Sequence, residues 1–267
     1  MLSEDTLDVS DHFVTSPRGK LFARKWRPAQ THDDRAPVVL VHDSLGSVEL
    51  WRNLPSLLAV RTGRTIIAYD RLGFGSSDPH PGKLSADFVA DEARTYLPAL
   101  LDGLGVGNVA LLGHSVGGAM AAVFAAALGD RCTALVTESA QTFTEDVTLD
   151  GIRAAKVSFA EPGQIDRLER YHGAKARWVL DAWVGTWLSQ AFASWDIGND
   201  LRKIRSPVLA IHGDNDEFGS LVHPKRIAEL TPGGAVTCII ETCGHVPHRE
   251  KPDLVLQAVA EFLGRAG

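Results

Sequence analysis

Five consecutive residues, Gly113-His114-Ser115-Val116-Gly117, have the spacing G-x-S-x-G and stand between an apolar run at 109–112 and an Ala-rich run at 118–128. A sharp turn from strand to helix leaves no room for side chains two residues either side of the serine, hence the glycines. It also lifts the Ser115 hydroxyl above the edge of a sheet. The helix that follows offers free N–H groups and the positive end of its dipole, which favour the negative charge that develops in acyl transfer. A serine hydroxyl is a weak nucleophile until a base removes its proton and a carboxylate orients that base. Two late segments carry such groups. His212-Gly213-Asp214-Asn215-Asp216 follows one apolar run, and Cys243-Gly244-His245-Val246-Pro247-His248 follows the next. The residues alone leave Asp214 beside Asp216, and His212 and His248 beside His245. Glu138, which ends the run at 134–137, is a further carboxylate at a strand end.

The elements that must position these groups are legible from periodicity. Residues 12–16 and 21–26, joined across Pro17-Arg18-Gly19, read as a hairpin. After it, short apolar strands at 38–41, 65–69, 109–112, 134–137, 207–211 and 236–241 alternate with helical patterns at 50–60, 86–104, 118–128, 225–230 and 253–265. Such a series implies a mostly parallel sheet covered on both faces, with function on the loops at the carboxyl ends of the strands. Between Ser139 and Asn199 the rhythm breaks. Residues 148–159, 164–172 and 175–187 read as three helices with no strand between them, a candidate lid.

Gly113 to Gly117, the Gly213-x-x-Asp216 loop and Gly244-His245-Val246-Pro247 together resemble the α/β-hydrolase family, in its compact esterase-like form with a helical cap. Asp70-Arg71-Leu72-Gly73-Phe74-Gly75-Ser76-Ser77 is similar to that family's D-x-x-G-x-G-x-S loop and reads as structural. The resemblance covers essentially the whole chain. It implies an α/β-hydrolase core at 1–140 and 200–267 with a helical cap at 141–199. It also implies Ser115 as nucleophile, His245 as general base and then acid, and Asp216 as the orienting carboxylate. His114, His212 and His248 are expected in packed, hydrogen-bonded roles. Asp216 is preferred to Glu138 because Gly213 lets its loop turn, and one helix and one strand separate it from His245; Glu138 then becomes a pocket residue. The oxyanion donors are expected to be the N–H groups of Val116 and Ser44. Asp43 stands where the family carries a glycine. The simpler expectation is that it keeps the backbone shape with its carboxylate turned outward; the sharper one is that it binds a polar group of the substrate.

Four of the six tryptophans, Trp178, Trp183, Trp187 and Trp195, lie in the helical insert, and Trp183 and Trp187 share a helix face. Packing against the core is their expected role, with substrate contact by Trp183 and Trp187 as the functional alternative. The implied reaction is hydrolysis of a small carboxylic ester or related acyl compound, without cofactor or metal. Carbon–carbon bond hydrolases, lactonases, amidases and cofactor-free haloperoxidases on the same fold are alternatives, as is a non-catalytic small-molecule receptor. A dehalogenase is disfavoured: those relatives resemble the chain around Trp51-Arg52-Asn53 but carry an aspartate where Ser115 stands.

Composition narrows the setting. The 267 residues carry 27 Lys and Arg against 33 Asp and Glu, a formal charge of −6 without blocks of one sign, so nucleic acid is not an expected partner. Cys132, Cys238 and Cys243 are odd in number and without metal-ligand spacing, which favours a reducing cytoplasm. The acidic start of the chain lacks the pattern of a signal peptide. Residues 109–128 are long and uncharged enough for a membrane span, but the Gly-His-Ser-Val-Gly-Gly turn interrupts them.

Overall fold

The computed structural model describes residues 7–29 and 35–265. The acidic start of the chain and the outermost ends of the expected core lie outside them. Among the described residues, eight strands form one sheet in the order β1-β2-β4-β3-β5-β6-β7-β8. The hairpin of β1 (Leu7–Ser16) and β2 (Gly19–Pro28) adds antiparallel to β4 (Ile66–Tyr69). Across β4, β3 (Val38–Val41), β5 (Val109–His114), β6 (Cys132–Glu138), β7 (Val208–Gly213) and β8 (Ala235–Ile240) every pairing is parallel. The chain leaves β3 for β4 on one side and builds β5 to β8 on the other. The order therefore reverses between β3 and β5, where the loops diverge and open a crevice at their carboxyl ends.

Among the described residues, eleven α-helices flank or cross this sheet. α1 (Leu54–Thr62) follows β3; α2 (Phe88–Asp91) and α3 (Leu97–Gly103) follow β4; α4 (Val116–Leu128) follows β5. Between β6 and β7 run α5 (Asp146–Ser158), α6 (Ile165–His172), α7 (Ala176–Trp187) and the single turn α8 (Gly198–Leu201). α9 (Val222–Leu230) joins β7 to β8, and α10 (Pro247–Glu250) and α11 (Pro252–Arg265) close the described chain. The central strands alternate with period two between two apolar cores. Val39, Val41, Leu111 and Leu135 face the core shared with α3, α4 and α8, whereas Val38, Leu40, Leu112 and Val136 face the core shared with α1 and α11.

Two helical expectations are corrected by prolines. The pattern at 50–60 is broken into a 3-10 turn, Val48–Trp51, and α1, because the ring of Pro55 would collide with the Trp51 carbonyl in a continuous helix. The chain turns instead at Arg52, whose φ is 53°. The pattern at 86–104 begins only at Phe88 and contains a π-helical turn, Glu92–Tyr96, just before Pro98, where a wider turn accommodates the missing N–H.

The segment between β6 and β7 is fastened, through His172 and Lys175 near its middle, to the loops that follow β3 and β4. His172 Nδ1 accepts from Gly75 N–H at 3.0 Å and its Nε2 donates to the Leu45 carbonyl at 3.0 Å, while Lys175 Nζ donates to the carbonyls of Gly75 and Ser77. Asp70 holds the loop that receives them: its two carboxylate oxygens accept from Val48 N–H and Ser76 N–H, and it lies against the Cα of Gly75, where any side chain would displace it. This is the structural role expected of the Asp70–Ser77 loop.

Candidate active site

β5 ends and α4 begins on either side of Ser115, which takes φ 55° and ψ −131°, a conformation unusual for any residue with a side chain. The strain is held by close packing. A Cβ on Gly113 would strike the Gly117 carbonyl, and one on Gly117 would strike the carbonyls of Val41 and His42. The two glycines are therefore required because backbone, which cannot rotate away, occupies the space. Gly117→Ala is expected to destabilise the fold by about 1–3 kcal/mol or more, read as a lower urea midpoint at unchanged slope.

The crevice gathers the groups the sequence singled out. His245 Nε2 stands 3.0 Å from Ser115 Oγ, and His245 Nδ1 lies 2.8 and 2.9 Å from the two carboxylate oxygens of Asp216. Ser115 is 6 % exposed and the Asp216 side chain is fully buried. Burial alone would raise the Asp216 pKa, but the hydrogen bonds from His245 and Phe218 N–H and the charge of His245 outweigh it and hold the carboxyl below its usual range. Asp214 is spent elsewhere, accepting from Cys243 N–H at 3.2 Å. His212 donates to the Gly219 carbonyl, and burial lowers its pKa.

The two candidate oxyanion donors have a common character. Val116 is the first residue of α4, where an N–H has no acceptor within its own helix. The Asp43 carbonyl is pinned by His42 Nδ1–H at 2.8 Å and by Arg71 at 2.8 Å. Since the Asp43–Ser44 peptide is trans, the Ser44 N–H points the opposite way from that carbonyl.

Asp43 itself departs from the simpler expectation. Its φ is not positive, and its carboxylate does not turn outward. One oxygen accepts from Leu45 N–H at 2.7 Å, and the other lies 3.2 Å from His114 Nδ1. The physical reason is the buried imidazole beside it, which a loop residue cannot foresee from its own sequence neighbours.

Glu138 is also placed differently from a pocket residue. It is fully buried, and both oxygens are taken by the ring and backbone N–H of His248. Trp183 is half-buried with its ring 6.0 Å from Phe218, whose own ring lies 4.9 Å from that of His245. Trp187 is packed instead against Phe192 and Trp195 in the core. Two site residues escaped the sequence reading. Gln141 Oε1 lies 3.2 Å from Ser115 Oγ, a second acceptor beside His245 Nε2 for the one hydroxyl proton, and Gln141 Nε2 donates to the Phe218 carbonyl. Phe218 covers one side of His245. Neither belongs to a motif; the one signal for Phe218 was its place two residues after Asp216.

The chain belongs to the α/β-hydrolase family: the family's model, described as alpha/beta hydrolase fold, matches residues 36–174, half of the chain. It is therefore an α/β hydrolase, and it resembles members of differing specificity. It is 27 % identical over 250 residues to 2-hydroxy-6-oxo-2,4-heptadienoate hydrolase of Pseudomonas putida, a match covering 85 % of this chain and 88 % of that one. It is 36 % identical over 104 residues to (lyso)-N-acylphosphatidylethanolamine lipase of Bos taurus, which covers 39 % of this chain and only 30 % of the lipase. Among solved structures, a bacterial membrane phospholipase A superposes with TM-score 0.79 at 19 % identity, covering 98 % of this chain and 87 % of that one, which shows the shared fold. Among the described residues, no helix is long and apolar enough to cross a membrane.

Proposed function

We propose that this hydrolase cleaves a small carboxylic ester or related acyl compound through an acyl-serine intermediate, with Ser115, His245 and Asp216 as its triad. The observation that carries the reading is His245, with one ring nitrogen 3.0 Å from Ser115 Oγ and the other 2.8 Å from Asp216. His245 Nε2 accepts the Ser115 proton as Oγ bonds to the substrate carbonyl carbon. The carbonyl oxygen becomes an oxyanion held by the N–H groups of Val116 and Ser44. The tetrahedral intermediate collapses as the imidazolium returns its proton to the leaving alkoxide. A water molecule, deprotonated by His245, then releases the acid and restores Ser115. Asp216 keeps Nδ1 protonated, so that Nε2 is the basic atom, and stabilises the imidazolium. Trp183 and Phe218 put aromatic surface beside the base, which suits an acyl or aromatic group and limits water at the reacting carbon.

Carbon–carbon bond hydrolysis on the same triad is the second reading, favoured by the relative from Pseudomonas putida that matches most of both chains. A fluorophosphonate probe is expected to label Ser115 stoichiometrically, which a receptor with a silent triad would not permit. A panel of esters, thioesters and lactones of graded acyl length, with a 2-hydroxy-6-oxo-dienoate beside them, then separates the readings. Ester turnover well above that of the dienoate supports the first; the reverse order replaces it with the second.

A further inference from the structure

His114 sits inside the elbow, 1 % exposed, with a partner on each ring nitrogen. Nε2 is 2.8 Å from the backbone carbonyl of His245, and Nδ1 is 3.2 Å from Asp43 Oδ2. A carbonyl has no proton to give and neither does a carboxylate, so making both bonds requires a hydrogen on each nitrogen of the ring. That ring is an imidazolium, and Asp43 is the counter-charge. The same carboxylate fixes Leu45 N–H with its other oxygen. Asp43 and His114 thus join three loops: the one after β3 that carries Ser44, the elbow that carries Ser115, and the one after β8 that carries His245.

We propose that Asp43 and His114 form a carboxylate–imidazolium pair that positions the base and the oxyanion loop of this hydrolase, neither of them touching substrate. The rate effect below rests on the triad proposed above; the pair itself does not. His245 lies between Gly244 and Val246, whose N–H groups are both held by Glu250, so its own carbonyl is the point at which the elbow can grip this loop. Losing the His114 proton would break one of the two bonds and leave the Asp43 charge uncompensated beside a developing oxyanion.

The surroundings favour the charged ring. Burial opposes it, but the hydrogen bond and charge of Asp43, the charge of Glu138 from the end of β6 and the His245 carbonyl outweigh burial and raise the His114 pKa to about 9. Asp43 is held far below the carboxylate range by His114, His42 and Leu45 N–H against the cost of its burial. The other groups facing the ring are the imidazoles of His245 and His248, each 5.1 Å away, and the edge of Trp51 at 6.4 Å, with Arg249 lining the same small cavity. Because the folded pKa is raised, the contribution of the His114 proton to stability is complete below the unfolded value of about 6.5 and is lost as pH rises through about 9, while that of Asp43, held below its ordinary range, is lost only in acid.

The test uses the whole chain. Ring 15N NMR of His114, assigned with a His114→Gln variant, is expected to show both nitrogens protonated at pH 7 and one titration near pH 9. With p-nitrophenyl acetate as probe, kcat/KM is expected to fall above about pH 9, a descending limb that the triad alone does not produce. In Asp43→Asn the His114 titration and the descending limb should move together toward acid by about two pH units, with less than about a tenfold loss at pH 6, where the ring still keeps its second proton. A singly protonated His114 at pH 7 in the unsubstituted protein overturns the pair. A descending limb that stays in place while the ring titration moves overturns the positioning role. The NMR arm needs neither turnover nor a folded Asp43→Asn protein, so an absence of ester hydrolysis refutes the proposed function while the ring spectrum still decides the pair.

Discussion

Ser115→Ala is expected to fold as the parent does and to lose about 10⁴ to 10⁶ of its turnover, since members of a triad that act as a unit fail together. His245→Ala should match it. The serine's backbone gives this prediction a second half. Ser115 is held at φ 55° and ψ −131°, a conformation costing on the order of 1–3 kcal/mol for a residue with a Cβ and little for glycine. Ser115→Gly should therefore abolish turnover as Ser115→Ala does, yet raise stability by about 1 kcal/mol after the greater chain entropy of glycine is subtracted. Urea melts beside turnover measure both. Turnover by Ser115→Ala comparable to the parent's would sink the assignment of the nucleophile. A Ser115→Gly protein no more stable than Ser115→Ala would show that the elbow stores no strain.

The second large effect separates two carboxylates. Asp216→Asn preserves shape but lets the amide face His245 Nδ1 as a donor. That favours the tautomer whose Nε2 carries the proton, and turnover should drop by roughly 10⁴ with little change in melting temperature. Glu138→Gln should do the opposite. Its side chain is fully buried against the ring and backbone of His248, so replacing it is expected to cost about 1–3 kcal/mol of stability while sparing most of the rate. A large rate loss for Glu138→Gln with near-normal turnover for Asp216→Asn would reverse the roles.

The sheet order explains why these two carboxylates do different things. β7 pairs directly with β8, so the loops leaving their carboxyl ends meet, and Asp216 reaches His245. β6 lies one strand further from β8, and Glu138 meets His248, three residues beyond His245. In the sequence, both acids simply follow an apolar run.

Much of the molecule was legible from local rules. Period-two and period-3.6 patterns located the strands and the longer helices, because burying one face or both dictates residue spacing before any partner is specified. The elbow was legible because Gly113 and Gly117 answer a steric demand made within a few residues, and the breaks at Pro55 and Pro98 follow from the same local chemistry. Side-chain pairing between loops was not legible in this way. Asp43 and His114 are 71 residues apart and Gln141 and Phe218 are 77 apart, so nothing in the spacing of either pair announces the other. Local spacing specified most of the elements and the turn that carries Ser115; the assembled fold settled which way Asp43 faces, what Glu138 holds and what covers His245. Propensity and turn sterics act along the chain, whereas a buried charge or amide takes whichever partner the sheet order brings within about 3 Å of it.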